Sequence, residues 1–241
     1  MATARNATLD GLRIAITGGT SGLGLALVRA AHRDGARVAF VARTAHAVQA
    51  VARKHAGSIG IVGDIALKED IHPIALQVLG GLGGLDILVN NASSLGRVPL
   101  APLADTECEE LEAALAANVL GPFRLTKALL GALRASAGEG RGGVVLNISS
   151  DAAVTPYAGW GAYGASKAAL RHLSAIWNAE LAGERIPVLS VDPGDMDTPL
   201  HAAAVPDADR SQLKDPAVAA AEILDLLRAH LALQSRIGVA A

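Results

Sequence analysis

The chain of 241 residues is 51% hydrophobic and 18% charged, with a formal net charge of −2 at pH 7. This composition supplies a full hydrophobic core, excludes general disorder and fits one α/β domain better than two. No basic block indicates nucleic-acid binding, no apolar run could span a bilayer, and the first residues lack the apolar stretch of a secretory signal. The single cysteine, Cys108, cannot form an internal disulfide. We therefore expect a cytoplasmic protein with neither nucleic-acid nor membrane partners.

Short apolar, β-branched runs alternate with helical patterns along the chain. The runs that predict strands are residues 12–17, 37–42, 59–63, 85–90, 144–148, 186–191 and 236–240. The helical patterns cover residues 25–34, 44–55, 68–79, 106–135, 163–182 and 215–230. A kink is expected at Gly121 and Pro122. Residues 1–10 are predicted to form a polar arm, and residues 195–214 an irregular segment.

This alternation, with nearly continuous apolar strands, is typical of a parallel sheet buried between two helix layers. Right-handed crossovers give a doubly wound sheet of about seven strands in a single domain, and such sheets bind ligands at the carboxyl ends of the strands. Thr17, Asp64, Asn90 and Ser150 fall at those predicted ends.

A glycine-rich segment, residues 18–24 (GGTSGLG), joins the first strand to the first helix. Glycines let a backbone approach a pyrophosphate closely, and a helix N-terminus offers it unpaired N–H groups. The spacing Gly-x-x-x-Gly-x-Gly differs from the commonest dinucleotide fingerprint, and no Gly-Lys-Ser/Thr follows as in nucleotide triphosphatases. The position between a strand and a helix favours a nucleotide-binding loop over a plain turn.

The end of the second strand indicates the type of nucleotide. An acid there would bind the ribose 2′-hydroxyl of NAD, whereas an arginine would meet the 2′-phosphate of NADP. The sequence has Arg43 followed by Thr44 and no acid, which predicts NADP(H) over NAD(H). The alternative is that Arg43 is a solvated surface charge.

Tyr163 and Lys167 lie four positions apart on a predicted helix and therefore share one face. An ammonium beside a phenol favours the phenolate and lowers the phenol pKa, so Tyr163 is expected to exchange a proton with a carbonyl or alcohol oxygen. Ser150, at the end of the preceding strand, is placed to hydrogen-bond the same oxygen. Taken alone, this spacing also occurs by chance on amphipathic helices.

Together and in order, these motifs resemble the short-chain dehydrogenase/reductase family, with its Rossmann-type fold, over nearly the whole chain. The resemblance implies that Tyr163 is the acid or base in hydride transfer between a nicotinamide and a carbonyl or alcohol. It implies three further catalytic residues: Ser150 polarises the carbonyl, Lys167 holds the nicotinamide ribose, and Asn118 links Lys167 to solvent through water. No metal is implied. The residues implied to contact the cofactor are Gly18, Thr20, Ser21, Gly22, Leu23, Gly24, Arg43, Thr44, Asp64, Ile65, Asn91, Ala92, Tyr163, Lys167, Pro193, Gly194, Met196 and Thr198.

Two features depart from the family pattern. Ser93 stands where the family usually has glycine, directly after Asn90-Asn91-Ala92. A hydroxymethyl group there would either crowd the cofactor or hydrogen-bond to it. The C-terminus is short and lacks the usual Asp-Gly-Gly ending.

Three local features resemble the sepiapterin reductase and benzil reductase branch of the family: residues 94–96 (SLG), 159–160 (GW) and 193–198 (PGDMDT). The acid that anchors the pterin in sepiapterin reductases would fall near Gly238, so that anchor is absent. We therefore expect an apolar ketone or diketone as the substrate. The candidate substrate-pocket residues are Ser150, Trp160, Met196, Leu200 and His201.

Three alternatives stay open at this point. The first two are a sepiapterin-type pterin reductase and a 3-oxoacyl thioester reductase, the latter needing a basic groove near residues 196–201. The third is an NADP(H)-binding sensor without turnover, a class that usually lacks the tyrosine or the lysine. The resemblance also implies a homodimer or homotetramer, formed through the helix at 106–135 and the Tyr163 helix. Residues 195–214 are expected to act as a lid over the substrate.

Overall fold

Six parallel strands form the sheet of the computed structural model, which describes residues 8–239 and the side chains of residues 8–233. In chain order, they are β1 (Arg13–Thr17), β2 (Arg37–Ala42), β3 (Ile59–Val62), β4 (Ile87–Asn90), β5 (Val144–Ile148) and β6 (Val188–Val191). Their order across the sheet is β3-β2-β1-β4-β5-β6, with every neighbouring pair parallel. The predicted doubly wound α/β sheet is confirmed, and its winding reverses between β1 and β4.

Helices cover both faces of this sheet. They are α1 (Gly22–Arg33), α2 (Ala45–Lys54), α3 (Lys68–Leu82), α4 (Cys108–Leu115), α5 (Gly121–Gly138), α6 (Gly161–Glu180), α7 (Pro199–Ala204) and α8 (Pro216–Val239). Ile14 and Ile16 of β1 belong to a core cluster that includes α1, α2 and α8. Ala15, between them, belongs to the cluster that includes α3 and α5. The alternation follows from the two-residue period of a strand, and it produces one core on each side of the sheet.

The C-terminal segment corrects the sequence prediction. The seventh strand expected at 236–240 is wrong, because α8 runs on through Val239, while Ala240 lies outside the described residues. Good helix formers continue from Ala217 to Arg236 without a proline, and the apolar run that follows is too short to override them. Strand β6 is therefore an edge strand within the described chain.

The helix predicted at 106–135 is interrupted. A five-residue π-helical turn, Ala116–Leu120, separates α4 from α5, and the Gly121 N–H donates to the carbonyl of Ala116. Pro122 has no N–H to donate to the carbonyl of Asn118, which favours a wider turn at this place. The expected kink near Gly121 and Pro122 thus takes the form of a π-turn that carries Asn118.

Residues 195–214 are more regular than expected. They contain α7, a single 3₁₀ turn at Arg210–Gln212 and an isolated parallel bridge between Met196 and Lys214. The Thr198 hydroxyl caps α7 by accepting a hydrogen bond from the backbone N–H of His201 at 3.2 Å. This segment follows β6 and lies beside the carboxyl end of the sheet.

Residues 1–7 of the expected polar arm lie outside the described residues, and Leu9 is buried in the core. Across residues 8–239, none of the helices combines the length and the apolar character needed to cross a membrane.

Asp86 is a fully buried carboxylate just before β4. It accepts hydrogen bonds from the Arg13 guanidinium at 2.6 Å, the Arg13 backbone N–H at 2.8 Å and the Ser136 hydroxyl at 2.6 Å. Burial alone would raise the pKa of Asp86, but the hydrogen bonds from Arg13 and Ser136 outweigh it and lower the pKa to about 2. Asp86 thereby joins the amino end of the sheet to α5.

We predict that Asp86→Asn lowers the free energy of unfolding at pH 7 by about 2–3 kcal/mol, the value of a pKa lowered by about two units. Because the folded pKa lies below the unfolded value, this stability is present above pH ~4 and is lost as the pH falls towards 2. Urea unfolding at pH 7, 4 and 3 measures both effects. The difference in the free energy of unfolding between wild type and variant should become smaller as the pH falls.

The control is Asp225→Asn, because Asp225 forms an exposed ion pair with Arg228 on α8. Its loss should cost less than about 1 kcal/mol. If Asp86→Asn lowers the free energy of unfolding no more than Asp225→Asn does, or by an amount that does not change with pH, the role assigned to Asp86 is contradicted.

Candidate active site

A cavity of about 1000 Å³ opens at the carboxyl ends of the strands. Its lining combines residues that follow β1, β2, β3, β4, β5 and β6, as expected for a doubly wound sheet at its switch point. Of the predicted catalytic, cofactor-binding and substrate-pocket residues, all line this cavity except Gly22 and Asn118. Gly22 lies in the glycine-rich loop against Thr198, and Asn118 is fully buried.

The glycine-rich loop packs tightly against the start of α1. A Cβ atom on Gly24 would lie 2.1 Å from the carbonyl oxygen of Gly18, and Gly18 itself has a φ of +72°. The hydroxyl of Ser21, the residue before α1, makes no capping hydrogen bond, and the first turn of α1 contains no acid. The N–H groups of that turn are therefore available to an anion.

Thr17 holds together the ends of β1 and β4, between which the cavity opens. Its buried hydroxyl accepts hydrogen bonds from the backbone N–H groups of Asn91 and Ala92, both at 3.0 Å. The Asn91 side chain returns a hydrogen bond to the Thr17 carbonyl at 2.8 Å. The segment that follows β4 is thus fixed to the glycine-rich loop.

Arg43 stands at the far end of the cavity, directly after β2. Its side chain is 77% exposed, and its guanidinium lies 3.9 Å from the carboxylate of Asp64, which follows β3. An exposed pair at this distance is weak and leaves the guanidinium free to meet a second anion.

Tyr163 and Lys167 are both buried in the wall of the cavity, at 7% and 2% exposure. They lie one turn apart on α6, with the Lys167 nitrogen 5.5 Å from the centroid of the Tyr163 ring. Among the described residues, this ammonium has one hydrogen-bond acceptor, the carbonyl of Ile148 at 2.8 Å. Its remaining N–H groups are available to a bound molecule.

Burial controls the ionisation of both groups. It raises the pKa of Tyr163 to about 12, although hydrogen bonds from Ser150 and Ser93 act in the opposite direction. It also lowers the pKa of Lys167 to about 8. The pKa of Tyr163 thus moves in the direction opposite to the one predicted from its spacing to Lys167, because loss of hydration is the largest influence on the phenol. At neutral pH, Tyr163 is a protonated phenol.

Ser150 is engaged by its own neighbours. Its hydroxyl accepts a hydrogen bond from the Ala152 N–H at 3.2 Å and donates one to the Asp151 carboxylate at 3.0 Å. The Tyr157 hydroxyl donates to the other oxygen of Asp151 at 2.6 Å and lowers the pKa of that carboxyl. Sequence reasoning missed Asp151 and Tyr157, for which the only clue was their nearness to Ser150 in the chain.

Asn118 supports the loop that follows β4. Its side-chain oxygen accepts from the Ser94 N–H at 2.8 Å and from the Ser93 hydroxyl at 3.1 Å. Its amide nitrogen donates to the Ser94 carbonyl at 2.7 Å and to the Ser166 hydroxyl at 2.8 Å. The side chain is thus fully occupied in joining residues 93–94 to α6.

The remaining pocket candidates surround the Tyr163 end of the cavity. Trp160 packs edge-on against Tyr163, with ring centroids 5.8 Å apart. Met196 and Leu200 are partly exposed apolar residues. His201 has one ring nitrogen 3.9 Å from the Asp195 carboxylate, while its Nδ1 is buried without a hydrogen-bond partner. No group of three or more potential metal ligands occurs in the part of the chain that the structure describes.

Known proteins share this architecture and 25–30% of the aligned residues. A family model described as short chain dehydrogenase matches residues 13–209. The L-xylulose reductase of Bos taurus is 30% identical over 204 residues, which are 85% of this chain and 80% of that protein. The 3-ketoacyl-(acyl-carrier-protein) reductase from Brucella melitensis, complexed with NADH, has a TM-score of 0.86 at 25% identity and covers 93% of this chain and 94% of its own.

A short chain dehydrogenase from Burkholderia cenocepacia J2315, in complex with NADP, has a TM-score of 0.80 at 30% identity and covers 91% of each chain. These relatives do not single out the sepiapterin and benzil reductase branch. The match of the family model over all six strands, on a fold shared with nicotinamide-nucleotide complexes, shows that this chain belongs to the short-chain dehydrogenase/reductase family of oxidoreductases, which act on alcohol and carbonyl substrates.

Proposed function

We propose that this protein is an NADP(H)-dependent reductase of ketones or diketones with an apolar body. The observation that carries the proposal is a buried, protonated phenol beside a buried ammonium, at the point where the strand ends form one cavity. A protonated phenol is the form that can give a proton to a carbonyl oxygen as it is reduced. Tyr163 can therefore act as the proton donor when a carbonyl is reduced.

The cavity fits a dinucleotide at its β1 side. The glycine-rich loop has no room for side chains at Gly24, and the uncapped first turn of α1 suits a pyrophosphate. Asp64 and Ile65 would contact the adenine ring, while Pro193, Gly194, Met196 and Thr198 would contact the nicotinamide. The remaining proposed cofactor contacts are Gly18, Thr20, Ser21, Gly22, Leu23, Thr44, Asn91 and Ala92.

The proposed preference for NADP(H) rests on Arg43. No acid stands at the end of β2, and the exposed guanidinium of Arg43 can pair with a 2′-phosphate. Asp64 lies beside Arg43 and would accept the 2′-hydroxyl of NAD less readily, because it follows β3 rather than β2.

The bound nicotinamide supplies the hydride. Tyr163 gives its proton to the substrate oxygen as negative charge develops there. Ser150 lies beside Tyr163 and holds the same oxygen in place, and the free N–H groups of Lys167 hold the ribose. Asn118 anchors residues 93–94 through its side chain, and it would link Lys167 to solvent through water for proton relay.

The walls near Tyr163 favour an apolar substrate. Leu95 and Ala152 form a small buried cluster with Tyr163, against which Trp160 packs. Met196, Leu200 and His201 complete the proposed pocket, and residues 195–214 would close over it as a lid. Three acidic residues, Asp151, Asp192 and Asp195, line this end of the cavity, and its lining lysine, Lys167, is buried. This arrangement disfavours the anionic carrier of a 3-oxoacyl reductase.

We also propose that the protein is a homodimer or homotetramer built on α4, α5 and α6. Phe123 of α5 and Ile176 of α6 are 36% and 41% exposed, and Phe123 packs beside Trp177 with ring centroids 5.9 Å apart. Leu120, in the π-turn, is 42% exposed. Large apolar side chains on adjoining helices favour burial against a second copy.

The first test is loss of NADPH absorbance with a panel of ketones, α-diketones and pterins, for wild type and Tyr163→Phe. We expect turnover of an apolar ketone or diketone, and a loss of about 10²–10⁴-fold in kcat for the variant, which lacks the proton donor. Calorimetry should show NADPH affinity within about threefold of wild type, since the phenol ring is kept. Retained turnover in the variant would remove Tyr163 from the mechanism.

The second prediction concerns Arg43→Asp. The ratio of NADPH to NADH affinity should fall by at least about tenfold, because an attractive charge at the 2′-phosphate becomes a repulsive one. The matched control is Arg53→Asp, the same charge change on an exposed position of α2 that does not line the cavity. If both variants keep the wild-type ratio, Arg43 does not select the nucleotide.

The third prediction concerns Ile176→Glu, which places a charge on the proposed interface. Sedimentation should show wild type as a dimer or tetramer and the variant at lower mass, since burying an unpaired carboxylate is costly. Leu76→Glu on α3, where Leu76 is 71% exposed, should leave the mass unchanged. An identical mass for wild type and Ile176→Glu would rule out this face.

A further inference from the structure

The residue that follows Ser150 is a carboxylate at the surface of the cavity. Asp151 is exposed, and it lines the cavity together with Ser150 and Tyr163. We propose that Asp151 is a specificity-determining residue, which selects ketones that carry a hydroxyl or ammonium group on the carbon next to the carbonyl. The inference rests on the proposed ketone reduction at Tyr163, and it narrows the substrates of that reaction to those with a hydrogen-bond donor at one place.

Two hydroxyl groups hold the Asp151 carboxylate in one orientation. The Ser150 hydroxyl donates to one carboxylate oxygen at 3.0 Å, and the Tyr157 hydroxyl donates to the other at 2.6 Å. The hydrogen bonds from Tyr157 and Ser150 lower the pKa of Asp151, so this carboxyl is ionised at neutral pH. An ionised carboxylate can accept about four hydrogen bonds, which leaves capacity for a donor from a bound molecule.

Asp151 competes with the substrate for the proton of the Ser150 hydroxyl. Ser150 has to donate this proton in order to hold the substrate oxygen, yet in the structure it donates the proton to Asp151. The Ser150 oxygen also accepts a hydrogen bond from the Ala152 N–H at 3.2 Å, which holds the oxygen in place while its proton can still turn. A hydrogen bond to a carboxylate is about twice as strong as one between neutral groups. A plain ketone therefore has to draw the proton from a stronger acceptor.

A donor on the substrate removes this competition. When the donor binds to Asp151, the carboxylate keeps a partner without Ser150, and the Ser150 hydroxyl turns towards the carbonyl oxygen. The Oγ–H bond of Ser150 stays intact, and the proton that the substrate oxygen takes up still comes from Tyr163. A substituent that cannot donate has the opposite effect, because it displaces water from the carboxylate and replaces none of its hydrogen bonds. The donor therefore affects turnover as well as binding.

The distances determine where the donor lies on the substrate. The Asp151 oxygen lies 3.0 Å from the Ser150 oxygen, and a substrate oxygen bound by Ser150 lies at about 3 Å from it in another direction. The carboxylate and the reacting oxygen are therefore about 5 Å apart. A hydroxyl or ammonium group on the carbon next to the carbonyl fits between them, since it lies beside the reacting oxygen and within hydrogen-bond reach of the carboxylate.

Aromatic rings extend from the Asp151 carboxylate to the proposed proton donor. The ring centroids of Tyr157 and Trp160 are 6.4 Å apart, and those of Trp160 and Tyr163 are 5.8 Å apart. The apolar body of a ketone can pack against these rings while its donor contacts Asp151. The substrate class that fits is thus a ketone with an apolar body and a hydroxyl or ammonium group beside the carbonyl.

Two ketones with the same phenyl body test the proposal. They are α-hydroxyacetophenone and α-methoxyacetophenone, of which only the first can donate a hydrogen bond from its substituent. With NADPH, kcat/KM of the wild type should favour the hydroxy ketone by about 10- to 100-fold, the effect of one hydrogen bond to a charged group. In Asp151→Asn, which keeps the size of the side chain and removes its charge, this ratio should fall by at least about fivefold.

A second readout separates this role from a purely structural one. In Asp151→Asn, kcat for the methoxy ketone should rise by at least about twofold, because a neutral acceptor holds the Ser150 proton less strongly. Asp151→Ala removes the acceptor and should change both quantities further in the same direction. The matched control is Asp207→Asn, since Asp207 is exposed and does not line the cavity, and it should leave both quantities unchanged. A ratio in Asp151→Asn equal to that of wild type, or a parallel loss of kcat for both ketones, would overturn the proposal.

A binding measurement distinguishes this proposal from the proposed function. NADP⁺ has no hydride to give, so the complex of the enzyme with NADP⁺ binds a ketone without turnover, and calorimetry gives its affinity. The hydroxy ketone should bind this complex at least about fivefold more tightly than the methoxy ketone in wild type, and within about twofold of it in Asp151→Asn. Failure of NADPH to reduce either ketone would refute the proposed reduction, whereas equal affinities of the two ketones in wild type would refute the role of Asp151.

Discussion

The hydroxyl of Thr17 is the contact on which the geometry of the cavity depends. At the point where the winding of the sheet reverses, the chain leaves β1 and β4 in opposite directions, and the backbone N–H groups beyond β4 have no neighbouring strand to accept them. Thr17 accepts two of them, and Asn91 returns a hydrogen bond to its carbonyl. The crevice at the switch point is thus open to a ligand, while the backbone that lines it stays ordered. The glycine-rich loop and the Ser93 loop inherit their positions from this junction.

Burial is the second constraint, and it acts on chemistry rather than on shape. Tyr163 and Lys167 lie almost wholly buried in the wall of the cavity, and each therefore resists its charged form. A phenol held in this way keeps its proton until negative charge develops beside it. In the proposed reaction, the surrounding hydroxyls and the Lys167 ammonium would then provide stabilisation that solvent does not. Burial thus raises the pKa of Tyr163, and it also strengthens each hydrogen bond made near the phenol, because the local dielectric is low.

Much of this arrangement could be predicted from the sequence, since alternating apolar runs and helical patterns determine a parallel sheet, and spacing alone brings Tyr163 and Lys167 onto one turn. The seventh strand was not predictable, because residues 236–239, which have a strand-like composition, continue α8. The predicted direction of the Tyr163 pKa shift differs from that in the structure, because a sequence shows the neighbouring charge but not the depth of burial. The hydrogen bonds of Asp151 with Ser150 and of Ser93 with Asn118 depend on side-chain rotamers and on which strands are neighbours, neither of which a linear pattern contains.

The extension of α8 has a consequence for the edge of the sheet that β6 forms. Within the described chain, β6 pairs on one side only, with β5, so its outer row of N–H and C=O groups faces away from the sheet. Exposed edges of this kind invite pairing between molecules and, in the extreme, aggregation. Here the edge strand is only four residues long, and Pro187 directly precedes it. A short edge strand and a proline, which lacks a backbone N–H donor, both discourage such pairing in sheet proteins. This chain has both at the edge where α8 continues in place of the predicted seventh strand.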